Sequence, residues 1–139
     1  MQPPCQKLIA PDLIDSALKL HLVLLFSRHP QLCGTATQLN EWFHVSPWAI
    51  AEALEALVSA GFVTRIDDQR GRRYRRAVRP EYQPLVQQLL ICYDDPLQRD
   101  VIHTLVHAAD EERQFRMWQT GEARAIGAAE RPVGWSVVR

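Results

Sequence analysis

The sequence predicts a mainly α fold with one small β-hairpin, followed by further helices at the C-terminal end. Three observations carry that expectation. Apolar residues recur at helical spacing after the capping residues Asp12, Ser46 and Asp94-Asp95, and these stretches end at His29-Pro30, at Gly61 and near Gly121. Only the segment from Phe62 to Val78 alternates in the manner of strands, around a turn that contains Gly71. With 139 residues and 47% apolar composition, the chain is long enough to bury a core without metals or disulfides.

Residues 1–11, with Pro3, Pro4 and Pro11, read as an irregular lead-in. From Asp12, a good N-cap, the run Leu13, Ile14, Ala17, Leu18, His21, Leu22, Leu25 keeps amphipathic spacing, and Leu20, Val23, Leu24 and Phe26 widen its apolar arc. Such a helix is either central to the core or shared with a partner subunit. It ends before His29-Pro30. Thr35 to Gln38 has the form of a capping box and opens a short helix that lasts to about Phe43. Ser46-Pro47 starts a third helix, with Ile50, Ala53, Leu54, Leu57 and Val58 on one face and Gly61 as its terminator. Strands are expected over 62–66 and 72–78, with Asp67 to Gly71 as the turn between them. A helix over about 82–93 follows, then a longer one capped by Asp94-Asp95-Pro96. Its stripe is Leu97, Val101, Ile102, Leu105, Val106, Ala109 and Phe115, and the signal fades beyond Gly121. The expected organisation is a lead-in at 1–11, one domain at 12–80, a helical dimerisation region at 81–120 and a loose tail at 121–139.

The order of helix, short helix, tight turn, helix and hairpin is that of a winged helix-turn-helix. Gly34, Thr35, Gln38 and Leu39 open the second helix, and Val45, Ser46 and Pro47 punctuate the turn. Leu54, Leu57, Val58, Gly61, Phe62 and Val63 lead the third helix into the wing. From about Leu18 to Val78 the chain resembles the winged helix-turn-helix regulators of bacteria, of the MarR-like, PadR-like or ArsR-like kind. The resemblance implies a third helix in the major groove, a wing on phosphates, and pairing of protomers through terminal helices.

Charge agrees once it is read by segment. Lys plus Arg and Asp plus Glu both number 16, so the chain is formally neutral. Residues 65–79 nevertheless hold seven cations and two anions, a net +5 between flanks of −2 and −3. Arg70, Arg72, Arg73, Arg75, Arg76 and Arg79 fall within ten residues, and guanidinium forks match phosphate oxygens two at a time. The alternative is a solvated hairpin whose Arg stems cover apolar surface. On a ribbon, Arg72, Tyr74 and Arg76 face one way and Arg73 and Arg75 the other.

With Ile50, Leu54 and Leu57 inward, the third helix turns Trp48, Ala49, Glu52, Glu55, Ala56 and Ser59 outward. None is Arg, Lys, Asn or Gln. Glu52 could accept from a cytosine amino group, and Trp48 or Ala49 could meet a thymine methyl. Candidate DNA-binding residues are therefore Thr35, Thr37, Ser46, Trp48, Ala49, Glu52, Arg70, Arg72, Arg73, Arg75 and Arg76. A rival is a protein-interaction module that docks a partner on the Trp48, Glu52, Glu55 face. In a third alternative Trp48 simply packs against the second helix near Trp42.

The long helix offers Asp100, His103, His107, Asp110 and Glu111 within one arc. His at i and i+4 can share a metal, so Asp100, His103 and His107 are candidate ligands of a metal-responsive variant. A solvated acidic face is the competing account. Cys5, Cys33 and Cys92 form no Cys-x-x-Cys arrangement and fit reduced thiols, with a thiol-responsive role as the alternative. No apolar run approaches a membrane span and no signal peptide is evident, so a cytoplasmic location away from membranes is expected. Neither a Gly-rich phosphate loop nor a nucleophile elbow occurs, and the expectation is a non-enzyme without a cofactor. Its expected partners are double-stranded DNA and a second copy of itself, the latter met through the first and C-terminal helices.

Overall fold

A computed structural model describes the backbone of residues 4–128 and the side chains of residues 5–119. A 3₁₀ turn at Pro4–Leu8 precedes α1 (Ala17–Arg28), β1 (Cys33–Thr35) and α2 (Ala36–Leu39), which a further 3₁₀ turn at Asn40–Trp42 extends. Then come α3 (Pro47–Ala60), β2 (Val63–Asp68), β3 (Gly71–Arg76), a 3₁₀ turn at Pro80–Tyr82, α4 (Gln83–Tyr93) and α5 (Pro96–Ala128). The sheet is antiparallel in the order β1-β3-β2, with Gly34 opposite Tyr74 and Arg65 opposite Tyr74 on the other side. A three-helix body with a hairpin closed by a short strand is a winged helix-turn-helix.

Local chemistry explains the helix-turn-helix. The Thr35 hydroxyl accepts the Gln38 N–H at 3.1 Å while the Gln38 amide oxygen accepts the Thr35 N–H at 2.9 Å, which satisfies two of the donors that a helix start leaves open. Asn40 fixes the turn from both sides. Its amide nitrogen donates to the Val45 carbonyl at 2.6 Å and its amide oxygen accepts the Val45 N–H at 3.0 Å. His44 between them adopts φ 56°, a left-handed conformation that this pair of bonds holds in place. The Ser46 hydroxyl then accepts the Ala49 N–H at 3.0 Å and Pro47 occupies the first turn. At the other end Gly61, at φ 96°, returns its N–H to the carbonyls of Leu57 and Val58.

The core is shared by α1, α3, the sheet and the C-terminal helices. Leu22, Leu24 and Phe26 of α1, Leu39 of α2, and Ile50, Leu54 and Leu57 of α3 are buried with Phe62, Tyr74, Val86, Leu89 and Ile102. α1 is therefore covered by its own chain, which settles one of the two alternatives that its broad apolar arc left open.

Several expected boundaries move. α1 begins at Ala17, not just after Asp12, because Ser16 is the residue that caps it. Asp12 instead sits at φ 73° and gives its N–H to the fully buried Asp15 carboxylate, which also receives Lys19 Nζ at 2.7 Å and faces Arg113 Nε at 3.4 Å. The lead-in is not irregular throughout, since Cys5 and Leu8 are fully buried in the core. α2 stops at Leu39, and Asn40–Trp42 winds more tightly because Asn40 is committed to the turn. β1 was not expected; it is a three-residue strand whose pairing partner lies forty residues away. The hairpin strands run 63–68 and 71–76, which confines the turn to Gln69 and Arg70. α5 continues past Gly121 to Ala128, and the remainder of the expected tail lies outside the described residues. Its apolar stripe is split: Ile102, Val106 and Ala109 are buried, whereas Leu97 is 77% and Phe115 56% exposed because the packing partners cover only the middle. Among the described residues no helix is long and apolar enough to cross a membrane.

A Cβ at Gly61 would come within 2.6 Å of the Arg79 Cγ, Cδ and Nε atoms, while one at Gly71, φ 102°, meets nothing within 4 Å. Both positions carry the left-handed strain of roughly 1 kcal/mol or more for an alanine. Gly61→Ala is therefore expected to lower the free energy of unfolding in denaturant by more than Gly71→Ala does.

Candidate nucleic-acid interface

β3 presents its side chains alternately. Arg72, Tyr74 and Arg76 share the face of Val63, Arg65 and Asp67 on β2, and Arg73 and Arg75 lie on the other face with Thr64 and Ile66. Tyr74 is 2% exposed and its hydroxyl donates to the Glu55 carboxylate of α3 at 2.5 Å. Arg65 Nη1 meets the same carboxylate at 2.6 Å and Arg72 Nη1 approaches it at 3.5 Å. Asp67 takes Arg72 Nε at 3.0 Å and Arg65 Nε at 3.5 Å, and Asp68 takes Arg73 Nη2 at 2.5 Å. The Asp68 carboxyl is held below the ordinary carboxylate range, first by Arg73 and then by the Arg70 N–H.

Three of the seven wing cations are thus engaged by carboxylates. Among the described residues Arg70, Arg75, Arg76 and Arg79 make no ion pair, and the Arg76 Nε has no hydrogen-bond partner. This corrects the outward assignment of Glu55. Its carboxylate is tied to the wing and leaves Glu52 as the acid of the outer face.

The remaining sequence candidates divide by what they do. Thr35 and Ser46 spend their hydroxyls as helix caps. Thr37 and Glu52 are exposed and Ala49 is half-buried. Trp48 is 73% exposed, so it does not pack against the second helix; Trp42 instead lies tilted against His29 at 5.7 Å. Sequence reasoning missed the role of Glu55, because an acid at that position looks solvated until the long-range neighbours Arg65, Arg72 and Tyr74 are known.

The metal candidates do not assemble. Among the described residues no three His, Cys, Asp or Glu groups come together to hold an ion. His103 Nε2 shares a hydrogen bond of 2.8 Å with the Tyr93 hydroxyl, and His107 faces Glu111 at 3.4 Å. The Asp100 carbonyl accepts from Thr104 within its own helix. His21 joins the same Tyr93 hydroxyl at 3.3 Å, and burial, His103 and Arg28 hold its pKa below the usual histidine value. The thiol alternative fares no better at Cys5, where burial and the neighbouring Cys92 push the pKa up to about 11, away from thiolate chemistry.

No protein-family model and no curated protein matches the chain. Among solved structures it is similar to the adhesin competence repressor of Streptococcus pyogenes, at 17% identity over 83% of each chain, with a TM-score of 0.47.

Burial raises the Tyr74 pKa from its ordinary 10 to about 12, helped by the hydrogen bond to and the charge of Glu55. A group whose folded pKa is raised contributes stability that is fully present below its unfolded pKa and is lost as pH climbs through the folded one. Between pH 10 and about 12 the free energy of unfolding is therefore expected to fall. Tyr74→Phe should remove that part of the alkaline slope and the tyrosinate absorbance step near pH 12.

Proposed function

We propose that the chain is a homodimeric, cytoplasmic DNA-binding regulator of transcription, with α3 in the major groove and the wing on phosphates. The observation that carries this is the wing itself: four arginines, Arg70, Arg75, Arg76 and Arg79, on the hairpin and just after it, stand without ion pairs among the described residues. Arg72 and Arg73 are secondary phosphate contacts, since each must first leave or share a carboxylate. Thr37 adds a hydroxyl donor from α2, while Thr35 and Ser46, whose hydroxyls cap their helices, leave the first backbone N–H groups of α2 and α3 to approach phosphates. The two copies meet through α5, whose Phe115, Met117 and Trp118 are 56%, 61% and 61% exposed, and not through α1, whose apolar face is already covered.

Duplex binding is expected to weaken steeply with salt, and Arg75→Ala or Arg76→Ala should each lower the slope of log affinity against log salt by about 0.9. No retention of any duplex at ~50 mM salt, where phosphate contacts are strongest, would overturn the proposal. That outcome would favour the second reading, a protein-interaction module anchored by Trp48, which its 73% exposure supports. For the dimer, sedimentation should give twice the mass of one chain for the wild type, and Phe115→Ser with Trp118→Ser should give the single-chain mass.

A further inference from the structure

The outer stripe of α3 is nearly bare. Counting one residue per turn along it gives Trp48, Glu52 and Ser59, all exposed, with Glu55 withdrawn from the stripe by Tyr74, Arg65 and Arg72. Between them Ala49, Ala51 and Ala56 are half-buried methyl groups that reach nowhere. Glu52 itself enters no hydrogen bond or ion pair among the described residues. A helix without long donors can come close to the floor of a groove, and only two of its side chains are long enough to discriminate what lies there.

Resting on the DNA-binding function proposed above, we infer that Glu52 and Trp48 are the base-reading residues of α3 and that they select a cytosine with a thymine nearby. A carboxylate only accepts hydrogen bonds. In the major groove guanine offers the acceptors N7 and O6, and thymine offers O4, so both repel it. Adenine offers an amino donor beside the N7 acceptor, which a carboxylate also repels. Cytosine alone presents an amino donor and no acceptor on its own major-groove edge, and it is the base that Glu52 satisfies. Trp48 sits one turn earlier, in the part of a recognition helix that reaches base edges, and its exposed ring suits the thymine methyl. Four residues of helix advance about 6 Å, and bases are spaced by about 3.4 Å along a strand, which places the two readouts roughly two base pairs apart. The carboxylate's repulsion by phosphates is offset by the four unpaired wing arginines. It also penalises every site that cannot offer the amino group, so the acid adds discrimination and lowers affinity for random sequence.

The test is selection of bound sequences from random duplexes with the full chain at ~50 mM salt, a regime in which electrostatic adhesion is retained. Wild-type protein should enrich one cytosine position with a thymine roughly two base pairs away. Glu52→Gln should replace that cytosine by adenine, which Gln binds through N6 and N7, and change the relative affinity for the two sites by about tenfold. Trp48→Ala should relax the thymine position and leave the cytosine. Because Glu52 is exposed, an unchanged unfolding midpoint for Glu52→Gln confirms that the altered preference comes from readout. A bound pool without any fixed cytosine, or a Glu52→Gln pool identical to wild type, overturns this inference while leaving phosphate binding by the wing intact. No bound pool from wild-type protein overturns the inference together with the function on which it rests.

Discussion

A single carboxylate, that of Glu55, fixes the geometry between the third helix and the wing. It receives a buried hydroxyl from Tyr74 and guanidinium groups from Arg65 and Arg72, one from each strand of the hairpin. Exposed ion pairs taken singly contribute roughly 0–1 kcal/mol, so the knot's importance is positional more than energetic. The Tyr74 bond is the better anchored member, because the ring is already committed to the core and loses little freedom by pointing its hydroxyl at the helix. Without that carboxylate, Arg65 and Arg72 would be left to share Asp67 alone. With it, the hairpin is held against α3, and an acid that would otherwise stand free on the outer face of the helix is tied to the strands.

The balance of charge in the wing changes accordingly. By sequence the 65–79 segment has a surplus of five cations, counted with its own two acids. In three dimensions Glu55 joins Asp67 and Asp68, and four arginines remain uncompensated among the described residues. Four positive charges concentrated on one hairpin of a neutral chain give a directional field, screened over about 10 Å at 0.1 M salt.

What was legible in the sequence is what local chemistry decides. The Thr35 and Gln38 capping box, the Ser46-Pro47 start and the Gly61 stop are all satisfied within a few residues of chain, and each lies where its pattern placed it. The hairpin's existence followed from alternation, and the two-face division of its arginines followed from the strand period. The rest depends on neighbours distant in sequence. β1 has only three residues, Cys33–Thr35, and exists because β3 offers it an open edge. By residue type Asp12 reads as the cap of α1, but its N–H goes to the buried Asp15 carboxylate, which Lys19 and Arg113 also claim, and Ser16 caps the helix instead. Glu55 belongs to the same class, an exposed-looking acid whose partners are 10, 17 and 19 residues away.

The same long-range logic ties the C-terminal helix to the winged-helix body. At one point Arg113 reaches the buried Asp15 carboxylate just ahead of α1 and also engages Asp110 on its own helix. At another, the Tyr93 hydroxyl at the end of α4 bridges His21 of α1 and His103 of α5, while the guanidiniums of Arg28 and Arg99 lie over its ring at 6.0 Å and 5.2 Å. A buried carboxylate and a shared phenol both have few alternative partners, so α5 cannot slide along α1 without leaving one of them unsatisfied. The middle of α5 is thereby fixed to the helix on which α3 packs, and its exposed Phe115 to Trp118 segment projects from a rigid support. A second copy meeting that segment would have its own wing set at a defined separation, as half-site spacing on a duplex requires.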